Sequence, residues 1–156
     1  MKLHLVRHGD AEITSKSGKD FDRLLSERGL KQTQGLGLYL KNKITNSEFW
    51  CSDAARTRET LASIANTCPI HRPMYLKSLY LCSKQDLLHH IWKRESSKDL
   101  LIVGHNFGIS DLLSYFVDDS IEMQTAEYYC IDFKELASNE TFQGTGIIAD
   151  HFHLQV

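Results

Sequence analysis

The chain has 156 residues, 42% of them apolar, enough for one compact core and too many for a disordered chain. Its 18 basic and 20 acidic residues leave a formal charge of −2, so no global positive field draws nucleic acid or an acidic membrane surface. It shows no cleavable apolar leader and no run long enough to span a bilayer, and its four cysteines (Cys51, Cys68, Cys82, Cys130) are scattered without a C-x-x-C pair, so free thiols in a soluble cytoplasmic protein are expected.

In chain order, Leu3–Val6 reads as a first strand and breaks abruptly into Arg7, His8, Gly9 and Asp10. The polar stretch "AEITSKSGKDFDR" is too long and charged for a tight turn, and long loops in compact domains are often functional. In "LLSERGLKQTQGLGLYLKNKI", Ser26 is an N-cap and Leu30, Leu36, Leu38, Leu40 and Ile44 give an imperfect apolar face. Gly29, Gly35 and Gly37 either weaken that helix or admit close packing. "EFWCS" is a second strand ending at Ser52. "DAARTRETLASIANTC" is a helix with Thr57, Leu61, Ile64 and Ala65 on one face. "MYLKSLY" holds a short strand, and "SKQDLLHHIWKRESS" is an amphipathic helix. "DLLIVGH", uninterrupted from Leu100 to Val103, is the strongest strand and the central one, and "NFGISDLLSYFVDD" starts a helix straight after it. "AEYYCIDF" and "GIIADHFHL" are two final strands joined by the hairpin "KELASNETFQGT". This alternation predicts an α/β three-layer sandwich: a mostly parallel central sheet with an antiparallel edge, helices on both faces, and a single domain over 1–156.

Two strands end alike, in Val6-Arg7-His8-Gly9 and in Val103-Gly104-His105-Asn106. Ligands in open parallel sheets bind outside the carboxyl ends of the strands, so both histidines face one crevice. A lone histidine at a strand end is usually structural; two at matched positions with flanking glycines are not easily so explained. After Ser52, Arg56 and Thr57 fall in the first turns of the next helix, near the same crevice. A guanidinium there makes forked bonds to phosphate oxygens, and the helix start adds amide donors. Arg58 reads instead as a solvated charge paired with Glu59.

With these residues placed, the chain resembles the histidine phosphatase (phosphoglycerate mutase-like) superfamily, and more closely its small SixA-type phosphohistidine phosphatase branch. The resemblance is carried by "LVRHGDAE", Ser52-x-x-x-Arg56, Gly104-His105-Asn106 and "DRLLSERG", in the family's order, and covers most of the chain. It implies a phosphoglycerate mutase-like fold, with His8 as the nucleophile that takes the phosphoryl group. It also implies that Arg7 and Arg56 clamp the phosphate, that His105 is a further donor, and that Arg23 reaches in from the loop. Gly9, Ser52 and Asn106 are included with the phosphate-binding residues. No metal or cofactor is required, because the arginines and His105 supply the positive charge that phosphoryl transfer needs.

Two departures from the branch bear on substrate. Leu24 follows Arg23 where the branch has Pro, which loosens the loop. Larger relatives carry a glutamate acid after the second helix, but "YLKSLYLCSK" holds no carboxylate until Asp86. An alkoxide leaving group needs such an acid, whereas an imidazole leaves as a neutral group. The expected substrate is therefore a phosphohistidine on a protein, such as a histidine-phosphotransfer domain. Asp10, Glu12 and Glu127 are the substitute acids. The alternatives are a small phosphorylated molecule as substrate, less readily a mutase, or a non-catalytic phosphate-binding module. His151 and His153 share a strand face that could hold metal, but no further ligand joins them at suitable spacing.

Overall fold

The computed structural model describes residues 1–156. Its elements are β1 (Lys2–Arg7), α1 (Glu27–Leu40), β2 (Ser47–Ser52), α2 (Ala55–Ala65), β3 (Met74–Leu76), α3 (Lys84–Trp92), β4 (Asp99–Gly104), α4 (Gly108–Val117), β5 (Tyr128–Asp132) and β6 (Ile147–Phe152). One six-stranded sheet runs β3-β2-β4-β1-β5-β6. The first four of these are mutually parallel, and β5 pairs antiparallel with both β1 and β6. The fold is α/β, mostly parallel with an antiparallel edge, and β4 is central.

Alternation along the strands divides the core. Leu3, Leu5, Leu100 and Ile102 join the layer of α3 and α4, with Leu88, Ile91, Leu112 and Phe116. Val6, Leu101 and Val103 face the layer of α1 and α2, with Leu36, Leu40, Leu61 and Ile64. Strands buried on both faces need unbroken apolar runs, which is why β4 reads so strongly. The helices that follow β1 and β4 lie on opposite faces, so a crevice opens between the carboxyl ends of these two strands.

Helix α1 differs from the leucine pattern. Its buried residues are Gly29, Gln32, Thr33, Leu36, Gly37 and Leu40, at helical spacing but mostly small or polar. Leu30 and Leu38 are exposed, and Ile44 is buried beyond the helix end. Ser26 is the N-cap, its hydroxyl accepting from Gly29 N at 3.0 Å. In α2, Thr57, Leu61 and Ile64 are buried but Ala65 is exposed, one position round the helix. The "MYLKSLY" segment pairs only at Met74–Leu76 and then tightens into a 3-10 turn at Lys77–Leu79. The β5–β6 connection is more than a hairpin turn: it buries Phe133, Ser138 and Thr141 around a second such turn at Ser138–Glu140. All four cysteines are free, and no helix is long and apolar enough to cross a membrane.

The glycines of α1 serve close approach. A Cβ on Gly29 would stand 2.0 Å from the carbonyl oxygen of Asp10, a backbone atom that cannot swing away. In an exposed helix interior Gly→Ala stabilises by about 1 kcal/mol. Gly29→Ala is expected to do the reverse, lowering stability by about 1–3 kcal/mol, as read from the urea midpoint.

Candidate active site

Strand register sets the site. Val6 lies opposite Val103, and Val103 opposite Cys51, so the residues that follow all emerge at one level. These are Arg7-His8 after β1, Ser52 at the end of β2, and His105 after β4. The His8 amide donates to Gly104 O at 3.2 Å, which holds the two histidine-bearing turns together. Their rings lie 5.2 Å apart between centroids.

The tautomer of His8 is forced by its neighbours. Nδ1 lies 2.7 Å from Gly9 O, an acceptor only, so Nδ1 carries the proton. Nε2 accepts from Arg56 Nε at 3.3 Å, so its lone pair faces the guanidinium. Burial lowers the His8 pKa to about 4, the bond to Gly9 opposes this, and Arg56, Arg7 and Arg23 add to the lowering. The arginines favour the neutral ring, but desolvation is the larger cause. His105 is lowered further, to about 3, by burial first and then by His8 and Arg56. Its Nε2 lies 2.7 Å from the buried Ser52 hydroxyl, so Ser52 orients His105 from beneath the crevice.

Two buried nitrogens beside His8 have no hydrogen-bond partner within the protein: Arg7 Nε and His105 Nδ1. Arg7 is otherwise fixed, NH1 donating to Met123 O at 2.7 Å. The orphaned atoms therefore belong to the two residues that flank His8 from β1 and β4, which suits an anion with several oxygens.

Arg56, 3% exposed, lies in the first turn of α2. Thr60 takes part in its placement, its hydroxyl donating to Arg56 O at 2.7 Å and accepting from Gly9 N at 3.0 Å. Beyond His8 the guanidinium meets Asp20, NH2 reaching the carboxylate at 3.0 Å and NH1 the carbonyl at 2.8 Å. Tyr80 also donates to the Asp20 carboxylate, and its ring stands edge-on to His105 at 5.5 Å. The Tyr80 hydroxyl, Arg23 and Arg56 together hold the Asp20 carboxyl far below its ordinary value, so it is ionised. Neither Asp20 nor Tyr80 stands out in the sequence; "KDFDR" and "KSLYLC" have no spacing that marks them.

Several expected members do not point at His8. Arg23 sits at the rim, Nε donating to Glu12 O at 2.6 Å and NH1 to Asp20 at 2.8 Å. Asn106 is spent within its own loop, donating to Met123 O at 3.0 Å and accepting from Ser110 at 2.6 Å. A Cβ on Gly9 would meet Thr33 at 2.8 Å and Gly29 O at 3.0 Å, so Gly9 admits the close approach of α1. The Asp10 carboxylate accepts from the Ser26 hydroxyl at 2.5 Å, and Glu12 is exposed. Glu127, 6% exposed, is bound by His151 at 2.7 Å and by the Gln124 amide at 2.5 Å. His151 is thus a carboxylate partner and stacks on Tyr129, and no group of three or more metal-ligating side chains forms anywhere in the chain. Arg58 pairs with Asp53 and covers the Tyr75 ring at 4.0 Å, while Glu59 accepts from Leu25 N at 2.6 Å.

Residues 3–77 match the profile of the histidine phosphatase superfamily (branch 1). Fructose-2,6-bisphosphatase TIGAR of Bos taurus is 31% identical over 78 residues, which are 48% of this chain and 28% of that protein. The chain thus spans well under two thirds of the curated relative it matches. The protein histidine phosphatase SixA, solved with tungstate, superposes with a TM-score of 0.82 at 18% identity over 98% of this chain and 97% of that one. The candidate phosphohistidine phosphatase SixA of Agrobacterium tumefaciens gives 0.81 at 17% identity over the same shares.

Burial of neutral imidazole has a thermodynamic sign. His105 is 4% exposed and lowered to about 3, and His4 is 2% exposed and lowered by burial to about 4. Below the unfolded value near 6.5 the unfolded chain binds protons that the folded chain refuses, so stability falls with pH. With His8, likewise lowered to about 4, three such groups make the slope approach roughly 4 kcal/mol per pH unit midway between the folded and unfolded values. Stability therefore drops as pH drops: urea unfolding at about pH 7 and about pH 5 should show this loss, and His4→Gln should remove about a third of the slope.

Proposed function

We propose that the chain, whose residues 3–77 match the histidine phosphatase profile and whose fold matches SixA, is a phosphatase of that superfamily that carries the phosphoryl group on His8 Nε2 and takes it from a phosphohistidine side chain on a protein. The observation that carries the chemistry is the His8 ring itself. Its proton is tied at Nδ1 to Gly9 O, and its Nε2 lone pair lies beside a buried guanidinium.

In the first step Nε2 attacks phosphorus and the P–N bond to the substrate imidazole breaks. The bonding pair returns to the substrate ring, which leaves neutral because its other nitrogen is protonated. Arg56, Arg7 and His105 bond the three equatorial oxygens, on which charge accumulates in flight. In the second step water attacks phosphorus and the P–Nε2 bond breaks, its pair returning to His8. The product leaves as dihydrogen phosphate, both water protons on it, and equilibrates with solvent.

The state of the carboxylates supports imidazole as the leaving group. Asp20 is ionised, and Asp10 and Glu127 are committed to Ser26 and to His151 and Gln124. None of these carboxyls is free to face His8 as the acid that an alkoxide would require. The likeness to TIGAR favours a second reading, in which the substrate is a small sugar phosphate.

Brief incubation with a labelled phosphodonor should leave acid-labile, base-stable label that is lost in His8→Ala. Absence of both label and turnover in the unaltered protein would leave only a phosphate-binding module. Arg56→Ala should cost about 10²–10³ in kcat. A sugar phosphate turned over faster than a phosphohistidine peptide would establish the second reading. Because Nε2 must be unprotonated, the acid limb of kcat/KM should fall near pH 4, where His8 titrates, rather than near the ordinary 6.5.

A further inference from the structure

The loop between β1 and α1 is nearly self-contained. Residues 12–20 are exposed apart from Ser15, and their polar side chains bond mainly to one another. Ser15 Oγ donates to Lys19 O at 2.7 Å, and Ser17 Oγ to Asp22 at 2.6 Å. Its base is pinned by the Ala11–Leu25 bridge and by Glu12 N donating to Leu24 O at 2.8 Å. From the far side the Asp20 side chain reaches back into the crevice, with Phe21 edge-on to Tyr80 at 4.9 Å beside it.

Building on the phosphatase reading of this crevice, we propose that Asp20 is an internal stand-in for the phosphoryl group, a strap whose carboxylate must leave Arg56 before an anionic substrate can bind. Each terminal nitrogen of Arg56 gives one N–H to Asp20, one to the carboxylate and one to the carbonyl, while Nε faces His8. Those are the donors a phosphate would take in its forked bond. The two ends of the pair differ in setting. The Arg56 side chain is 4% exposed and cannot stand unpartnered at small cost, whereas that of Asp20 is 43% exposed and can turn to water. Carboxylate and phosphate therefore alternate at one cation: two anions at the same guanidinium repel, and the more exposed one, on the loop, is the one that yields.

The strap also bears on the kind of substrate. Displacing Asp20 subtracts from the binding of every phosphate, so a free ion gains least. A ligand with contacts outside the crevice offsets the loss with them. Leu81, next to Tyr80, and Phe107, two residues after His105, are exposed large apolar side chains close in the chain to residues of the crevice, suited to such contacts.

Calorimetric titration of the full chain with inorganic phosphate tests the strap, using wild type, Asp20→Asn, Asp20→Ala and, as a control for the site, Arg56→Ala. Removing the competing charge should tighten phosphate binding by about five-fold or more in both Asp20 variants. Equal or weaker binding in both would overturn the strap while leaving the phosphatase reading intact. Binding that is undetectable in wild type and both Asp20 variants would sink the reading as well as the strap. Hydrogen exchange on the unaltered protein gives an independent readout if the variants fold poorly. Saturating phosphate should speed exchange of amides in residues 12–23, and unchanged or slowed exchange would overturn the displacement.

Discussion

Parallel pairing of β1 with β4 is the constraint on which the crevice rests. With Val6 opposite Val103, the two chains leave the sheet at one height and on opposite helical faces. A slip of one residue would turn Val6 and Val103 towards the wrong layer and carry His8 away from His105. The core thus fixes the relative position of two imidazoles to the accuracy of a strand register. Ser52 and Arg56 are then added from the neighbouring β2–α2 turn without any further long-range requirement.

That placement makes the crevice a desolvated site of positive charge with neutral bases in it. Burial suppresses protonation of both histidines, while the guanidiniums keep their charge at any ordinary pH. In the proposed reaction the combination separates two tasks: the arginines would hold oxygens, and the uncharged ring beside them keeps a lone pair available. Neutral imidazoles also reduce the repulsion that four adjacent cations would exert on the folded state.

Much of this was legible in the sequence, and for identifiable reasons. The sheet is readable because β4 and β1 are buried on both faces, which demands unbroken apolar runs. The convergence of Arg7, His8, Ser52, Arg56 and His105 is readable because they lie at or just after strand ends, where polar residues after such runs are conspicuous. Helix α1 departs from its leucine pattern at Leu30 and Leu38 because its buried face is built largely from Gly29, Gln32, Thr33 and Gly37, which hydrophobicity alone does not mark. Gly9 and Asn106 belong to the motifs but serve packing and loop bonds, a distinction that needs the third dimension. Asp20 and Tyr80 could not be found at all. They meet Arg56 only because a loop and a 3-10 turn from distant parts of the chain converge on it.

The pinned base of the β1–α1 loop has a consequence for how such a scaffold can be varied. Ala11 and Leu25 close a gate of fixed width, and the Leu25 amide is further held by Glu59 of α2. Apart from Asp20 and Phe21, which meet Arg56 and Tyr80, the chain between them bonds mainly to itself. Doubling its length adds only about 0.6 kcal/mol of closure entropy. Its outer part can therefore be shortened, lengthened or grafted from another protein while His8, Arg56 and His105 stay where β1, α2 and β4 put them, so that access to the crevice becomes an exchangeable module on a constant scaffold.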